Sequence, residues 1–175
     1  NHYLKYNTTY DYGLNDYAVS FWAKDLTWGD GSSRIFSAVS GSGPDAGWDI
    51  QLSDAAGVPS IQWNQYYTGS NGSHSISIGQ QSSQQVSSSY LDPTSVYGTS
   101  TGGKSNGWHH IVFNIARDGN ATAYFDNALK NTTDISISGS HDIGPESIGD
   151  YPKPIIGAID TDNSGIPYGG LSGSL

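Results

Sequence analysis

Gly107-Trp-His-His-Ile-Val-Phe-Asn-Ile-Ala-Arg117 holds apolar side chains at alternate positions on both of its sides. Ile111, Phe113 and Ile115 would share one face of an extended strand, with Trp108 and Val112 on the other, because successive side chains of a strand point in opposite directions. A strand that is apolar on both faces belongs in the middle of a sheet. The adjacent His109 and His110 therefore point to opposite faces and cannot grip one metal ion together, so both read as scaffold. His2, His74 and His141 show no ligand spacing.

The same period of two recurs along the chain. Tyr17, Val19, Phe21 and Ala23 align on one face of Tyr17-Ala-Val-Ser-Phe-Trp-Ala-Lys24, and Trp48, Ile50 and Leu52 on one face of Gly47–Ser53, whose other face (Asp49, Gln51, Ser53) reads as solvent-exposed. Ile61 with Trp63, Ile76 with Ile78, and Ile135 with Ile137 repeat the pattern. Ala121-Thr-Ala-Tyr-Phe-Asp-Asn-Ala-Leu-Lys130 predicts two strands joined by a tight turn at Asp126-Asn127, where positive φ is required and Asn tolerates it. Pro59, Pro154 and Pro167 fall near strand starts, where a missing N–H does least harm. No segment shows a helical period. Gln80–Ser105 and Ser138–Lys153 read as irregular excursions, and many short strands with turns between them predict an all-β, two-sheet antiparallel β-sandwich.

The 175 residues fit one domain, residues 1–175, and are enough to bury a core. Sixteen acidic residues (Asp+Glu 16) against 7 Lys+Arg leave a net charge of -9, which argues against nucleic acid as a partner. There is no cysteine, so disulfides say nothing of the compartment. No apolar run is long enough to insert into a membrane. Sequons at Asn7, Asn71, Asn120 and Asn131 are glycosylation candidates and suit a secreted chain.

Three segments in order, Tyr17–Lys24, Asn106-Gly-Trp-His-His-Ile-Val-Phe113 and Ala123-Tyr-Phe-Asp-Asn-Ala-Leu129, resemble the laminin-G-like branch of the concanavalin-A-like jelly-roll superfamily. They match its early "S-F-W" strand, its "W-H-H" strand and its "Y-x-D-G" hairpin, with Asn127 in place of the usual Gly. Members close with a strand similar to "G-x-I-D-E-V-R-I-Y", whose opening resembles Gly173-Ser-Leu175, and Asn1-His-Tyr-Leu-Lys5 resembles a first strand entered part-way. The resemblance thus implies a fragment of a larger protein, its closing strand either cropped or supplied by a neighbouring copy.

The resemblance also implies a theme of sugar binding and, in several members, calcium on the rim. Sugars stack on exposed rings and take hydrogen bonds from Asn, Asp and Gln. Asn64, Tyr66 and Tyr67, placed in a loop after Trp63, are the candidate carbohydrate contacts, with Trp28 of Trp28-Gly-Asp-Gly31 as a further loop aromatic. Asp160-Thr-Asp-Asn-Ser-Gly165 spaces oxygen ligands as the first half of a Ca2+ loop does, giving Asp160, Asp162 and Ser164 as candidate ligands. The same spacing suits an Asx-turn without metal, and Leu171 stands where an EF-hand has its bidentate Glu.

Catalysis is disfavoured. Sandwich glucanases of the superfamily resemble "E-x-D-x-x-E", and Glu146 is the only glutamate here. Gly98-Thr-Ser-Thr-Gly102 matches "G-x-S-x-G" without its strand-turn-helix context. The expectation is a non-catalytic carbohydrate-recognition or adhesion module of a secreted or surface protein, calcium-dependent if the aspartate loop is loaded, whose partner is a glycan or glycoprotein surface. The alternative is a structural subunit of an extracellular fibre, pilus-like filament or virion appendage that exchanges strands with copies of itself.

Overall fold

The computed structural model describes residues 4–5, 15–28, 33–40, 46–55, 58–66, 73–79, 108–136, 155–156 and 171–174. These contain the strands β1 (Leu4–Lys5), β2 (Tyr17–Trp28), β3 (Ser33–Ser40), β4 (Ala46–Ala55), β5 (Val58–Tyr66), β6 (Ser73–Gly79), β7 (His109–Ile115), β8 (Asn120–Phe125), β9 (Ala128–Asp134), β10 (Ile155–Ile156) and β11 (Leu171–Ser174). They form a six-stranded sheet, β1-β10-β3-β4-β5-β6, and a five-stranded sheet, β11-β2-β7-β8-β9, in which every neighbouring pair is antiparallel. The protein is an all-β, two-sheet antiparallel sandwich.

Its core is the inward half of each alternation. Ile35, Trp48, Ile50, Leu52, Ile61, Trp63 and Ile76 from the first sheet meet Phe21, Ala23, Ile111, Phe113, Ile115, Ala123 and Phe125 from the second. Burying side chains of this size contributes about 1.5–3 kcal/mol each, which is what holds two such sheets face to face. One end of the core is aromatic, with the Tyr17 ring 5.9 Å from that of Trp48 and 6.5 Å from that of Trp63. There the Tyr17 hydroxyl donates across the sandwich to Gln65 Oε1 at 3.0 Å, which satisfies a fully buried amide.

β7 is the middle strand of the five, as its two apolar faces require. Opposite it, β2 lies in unbroken register from Tyr17↔Ile115 to Ala23↔His109. The β8–β9 turn has positive φ at both centres, 48° at Asp126 and 64° at Asn127, the geometry that a two-residue hairpin matched to strand twist demands. Gly47 meets a different demand. Its φ is 112°, and a Cβ there would lie 2.0 Å from the carbonyl oxygen of Ala38, so β3 and β4 pair this closely only because the residue is glycine.

Several local expectations change. Trp28 closes β2 and pairs with Leu171, and Tyr66 closes β5 and pairs with Ser73, so both sit on strands and not in loops. Ile135 is buried but lies past the end of β9, where the Asp134 carboxylate accepts the Ser136 N–H at 2.9 Å and turns the chain. β3 had no clean alternation, because a bulge between Arg34 and Phe36 shifts its register. β11 forms at Leu171–Ser174 but pairs with β2 only over Lys24–Trp28. Among the described residues, no strand pairs with the side of Ala18–Ala23 that faces away from β7.

Candidate functional site

The outward face of the six-stranded sheet carries a buried carboxylate. Asp49 belongs to the polar half of β4, yet it is 0% exposed. The expectation of an exposed face fails here because three donors close over the group. Arg34 Nε reaches Oδ2 at 2.7 Å, Asn64 Nδ2 reaches Oδ1 at 2.7 Å, and the Tyr66 hydroxyl reaches Oδ2 at 3.3 Å. The register makes this possible, since Asp49 lies opposite Asn64 on β5 and Arg34 on β3 pairs with Gln51, two residues along β4 on the same face. Burial pushes the Asp49 carboxyl above its ordinary value, against the pull of Arg34 and the hydrogen bonds. Burial, with the Asp49 charge beside it, likewise raises the Tyr66 phenol, which stays protonated as a donor.

Two of the residues expected to contact sugar, Asn64 and Tyr66, are therefore brought together, but on Asp49. Asn64 is itself buried and spends its amide on the carboxylate. Trp28 lies in the other sheet. Tyr67, Asp160, Asp162 and Ser164 lie outside the described residues, as do Asn7 and Asn71. Of the sequons, Asn120 is exposed at the start of β8, and Asn131 is half-buried on β9 with its Oδ1 accepting the Thr132 N–H at 2.8 Å. Among the described residues, no group of three or more His, Asp or Glu could hold a metal ion.

The hairpin end of the other sheet joins its two histidines to opposite faces. His109 lies on the inward side, its ring stacked on Phe125 at 4.8 Å. Its Nδ1 donates to Asp126 Oδ2 at 2.7 Å, while Asp126 Oδ1 accepts the backbone N–H of His110 at 2.8 Å. Partial burial alone would raise the Asp126 carboxyl; the His109 and His110 hydrogen bonds and imidazole charges outweigh it and hold the group below its ordinary value. His110 points outward, stacked on Trp22 at 4.9 Å with an interplanar angle of 23°, and its Nε2 shares a hydrogen bond with Ser20 Oγ at 2.8 Å.

That outward face presents what the first one hides. Trp22 is 55% exposed and Leu129 is 55% exposed, with Trp108 exposed beside β7. The ladder registers align Ser20, Val112, Tyr124 and Leu129 in one row across four strands. One pleat away, Ala18, Asn114, Thr122 and Thr132 form a parallel polar row, and one pleat the other way stand Trp22 and His110. The first two rows carry no Asp, Glu, Lys or Arg, and the third ends at Asp126, whose N–H donates to the His110 carbonyl. Strand spacing of about 4.8 Å makes the rows about 14 Å long, and about 7 Å separates one from the next. The sequence contained the signal in Trp22, an aromatic on the polar side of an alternating strand, but the face needed the register to assemble.

No family model matches the chain, and no curated protein matches it. Solved structures do. The binding domain of Paraclostridial Mosquitocidal Protein 1 superposes with a TM-score of 0.56 at 16% identity, over 93% of this chain and 34% of that one. The likeness is one of fold. The botulinum neurotoxin serotype D/C binding domain gives 0.53 at 13% identity, over 90% and 31%. The binding domain of botulinum neurotoxin DC in complex with SialylT gives 0.51 at 15% identity, over 81% and 27%. The chain thus spans about a third of each structure, and the shared part is a β-sandwich. Its three sequence motifs agree with that sandwich without singling out the laminin-G-like branch.

Proposed function

We propose that the protein is a non-catalytic carbohydrate-recognition module of an extracellular or cell-surface protein, of laminin-G-like type. The observation that carries the reading is Trp22, an indole held flat against His110 on an open sheet face with more than half of its surface in water. A large ring left exposed forgoes burial, and a fixed, exposed aromatic plane suits the C–H face of a pyranose. The amide and hydroxyl groups of Asn114 and Thr122, two pleats along the same face, suit sugar hydroxyls. The fold shared with toxin binding domains supports a binding role, one of those structures being a complex with SialylT. Calcium belongs to the same proposal through Asp160, Asp162 and Ser164, and adhesion to glycoprotein surfaces would follow from glycan binding.

A glycan array tests the reading. Wild-type protein is expected to bind a subset of glycans, and Trp22→Ala, folded by circular dichroism, to lose them; a folded wild-type protein silent across the array refutes it. A second reading is a self-associating structural subunit that exchanges strands between copies. Analytical ultracentrifugation separates the two, since a subunit of that kind assembles as concentration rises and a recognition module stays monomeric.

A further inference from the structure

We infer that the ligand of the Trp22 face is an extended, neutral, β-linked oligosaccharide lying across the strands, with the Tyr124 ring as a second stacking subsite. The inference rests on the carbohydrate reading and says which class of carbohydrate the face takes.

Length comes first. A single ring would be served by Trp22 alone, yet one pleat from it the half-buried Val112 and Tyr124 lead across the sheet to Leu129, which is as exposed as Trp22 itself. These three side chains cross β7, β8 and β9, about 10 Å at the usual strand spacing, and Ser20 opposite Val112 continues the row onto β2. A partly exposed apolar row of this length, bordered on one side by Asn114, Thr122 and Thr132, offers a stacking line beside a line of donors and acceptors. A sugar chain has the same division, with bare C–H faces and hydroxyl-bearing edges. Alternation in the ladder sets the two lines one pleat apart, so each ring that lies on the row reaches the polar line with an edge.

Charge and shape narrow the class. No acidic or basic side chain stands on the row of Val112 and Tyr124 or on the polar row beside it, and the chain as a whole carries -9, which repels sulfated or uronate-rich polymers. Chains linked through equatorial β-bonds are ribbons with flat apolar faces, and a sheet face fits a ribbon better than a coiled α-linked chain. A peptide ligand would instead need an open strand edge or a groove, and these rows lie on a sheet face.

The test is calorimetric titration with cello-oligosaccharides of increasing length, glucose included, with maltose-series oligomers and sialyllactose as comparisons. Affinity is expected to rise with chain length from the monosaccharide, a second stacked ring adding roughly fivefold, and the maltose series and sialyllactose are expected to bind more weakly. Tyr124→Ala is expected to remove the gain from length, and Trp22→Ala to weaken every member. Leu129→Ala, at an exposed position that the fold does not need, serves as a second variant and should lower only the longest oligomers. Equal affinity for glucose and the longer chains, or a length gain untouched by both Tyr124→Ala and Leu129→Ala, overturns the extended-ligand inference and leaves the glycan reading standing. Preference for sialyllactose overturns the neutral class. Absence of binding to any glycan on the array refutes the carbohydrate reading and the inference with it.

Discussion

Replacing Asp49 by Asn changes one atom type in the buried cluster on the outward face of the six-stranded sheet. The carboxylate accepts from Arg34 Nε and Asn64 Nδ2, both at 2.7 Å, and from the Tyr66 hydroxyl at 3.3 Å. An amide offers one acceptor oxygen in place of two and turns a donor toward either Arg34 or Asn64. At least one short bond to a charged group is lost, worth about 1.5–3 kcal/mol. Arg34 keeps 17% of its side chain in water, which lets solvent take up part of its unmet charge and holds the total below the figure for a fully buried broken pair. D49N should therefore cost about 2–3 kcal/mol near neutral pH, a large share of the stability of an ordinary domain. Urea unfolding followed by tryptophan fluorescence reads this directly, because Trp63 is fully buried and Trp48 nearly so.

The pH dependence is a second readout of the same substitution. Burial raises the Asp49 carboxyl above 3.8, so between 3.8 and the raised value the folded protein holds a proton that the unfolded chain has released. In that window the contribution of Asp49 falls as pH rises. Asn has no such titration, and the gap between wild type and D49N should be widest in acid and narrow toward neutrality. Arg34→Met with D49N should cost less than the sum of the two single changes, with a coupling of about 1 kcal/mol or more. A D49N loss under about 1 kcal/mol with an unchanged denaturant slope, or a gap that widens as pH rises, would refute the account of the cluster.

Gly47→Ala should be among the most damaging single changes, at about 3–5 kcal/mol from positive φ and a Cβ forced onto the Ala38 carbonyl, measured by the same unfolding curve. Asp126→Ala removes the acceptor for His109 and His110, and with it the local hydrogen bonding that lets Asp tolerate φ 48°; the expected loss is about 1 kcal/mol, discounted for an exposed side chain, and Asp126→Gly should recover part of it. Because the Asp126 carboxyl is held below 3.8, its contribution is complete above that pH and disappears as pH falls through the folded value, so the wild-type advantage over Asp126→Ala should shrink in strong acid. If Asp160, Asp162 and Ser164 hold calcium, the thermal midpoint should rise with excess Ca2+ over chelator, and Asp160→Asn with Asp162→Asn should abolish the rise; an identical midpoint in both buffers counts against the ligand set.

The strands were legible because burial imposes period two on the residues that face the core. Trp48, Ile50 and Leu52, or Ile111, Phe113 and Ile115, have no other arrangement that hides them all. The Asp126-Asn127 turn was legible for the same local reason, since few residues accept positive φ twice in succession. β3 was not, because the bulge after Arg34 breaks the alternation, and Asp49 was misread because a polar residue on the outer half of a strand looks identical whether water or Arg34 covers it. What decides between those cases is the register of β3 and β5 against β4, a long-range property that alternation along one strand does not encode.

The same distinction explains why the residues expected to contact sugar and the face that best fits one are different. Asn64 and Tyr66 were chosen for chemistry, as polar and aromatic groups near a strand end, and the fold uses that chemistry to neutralise Asp49. Side chains already bound to a buried charge are poor ligand contacts, because a sugar would have to replace bonds of about 1.5–3 kcal/mol each before gaining any. Trp22 and Leu129 face the opposite balance: Trp22 sits outward between the core residues Phe21 and Ala23, Leu129 lies on β9, which puts no side chain into the core, and more than half of each is left in water. Which sheet a residue joins, and what its register sets beside it, separates a side chain that completes the scaffold from one left in water. On this sandwich Trp22 and Leu129 of the five-stranded sheet, and not the polar cluster of the six-stranded one, leave large apolar surfaces uncovered.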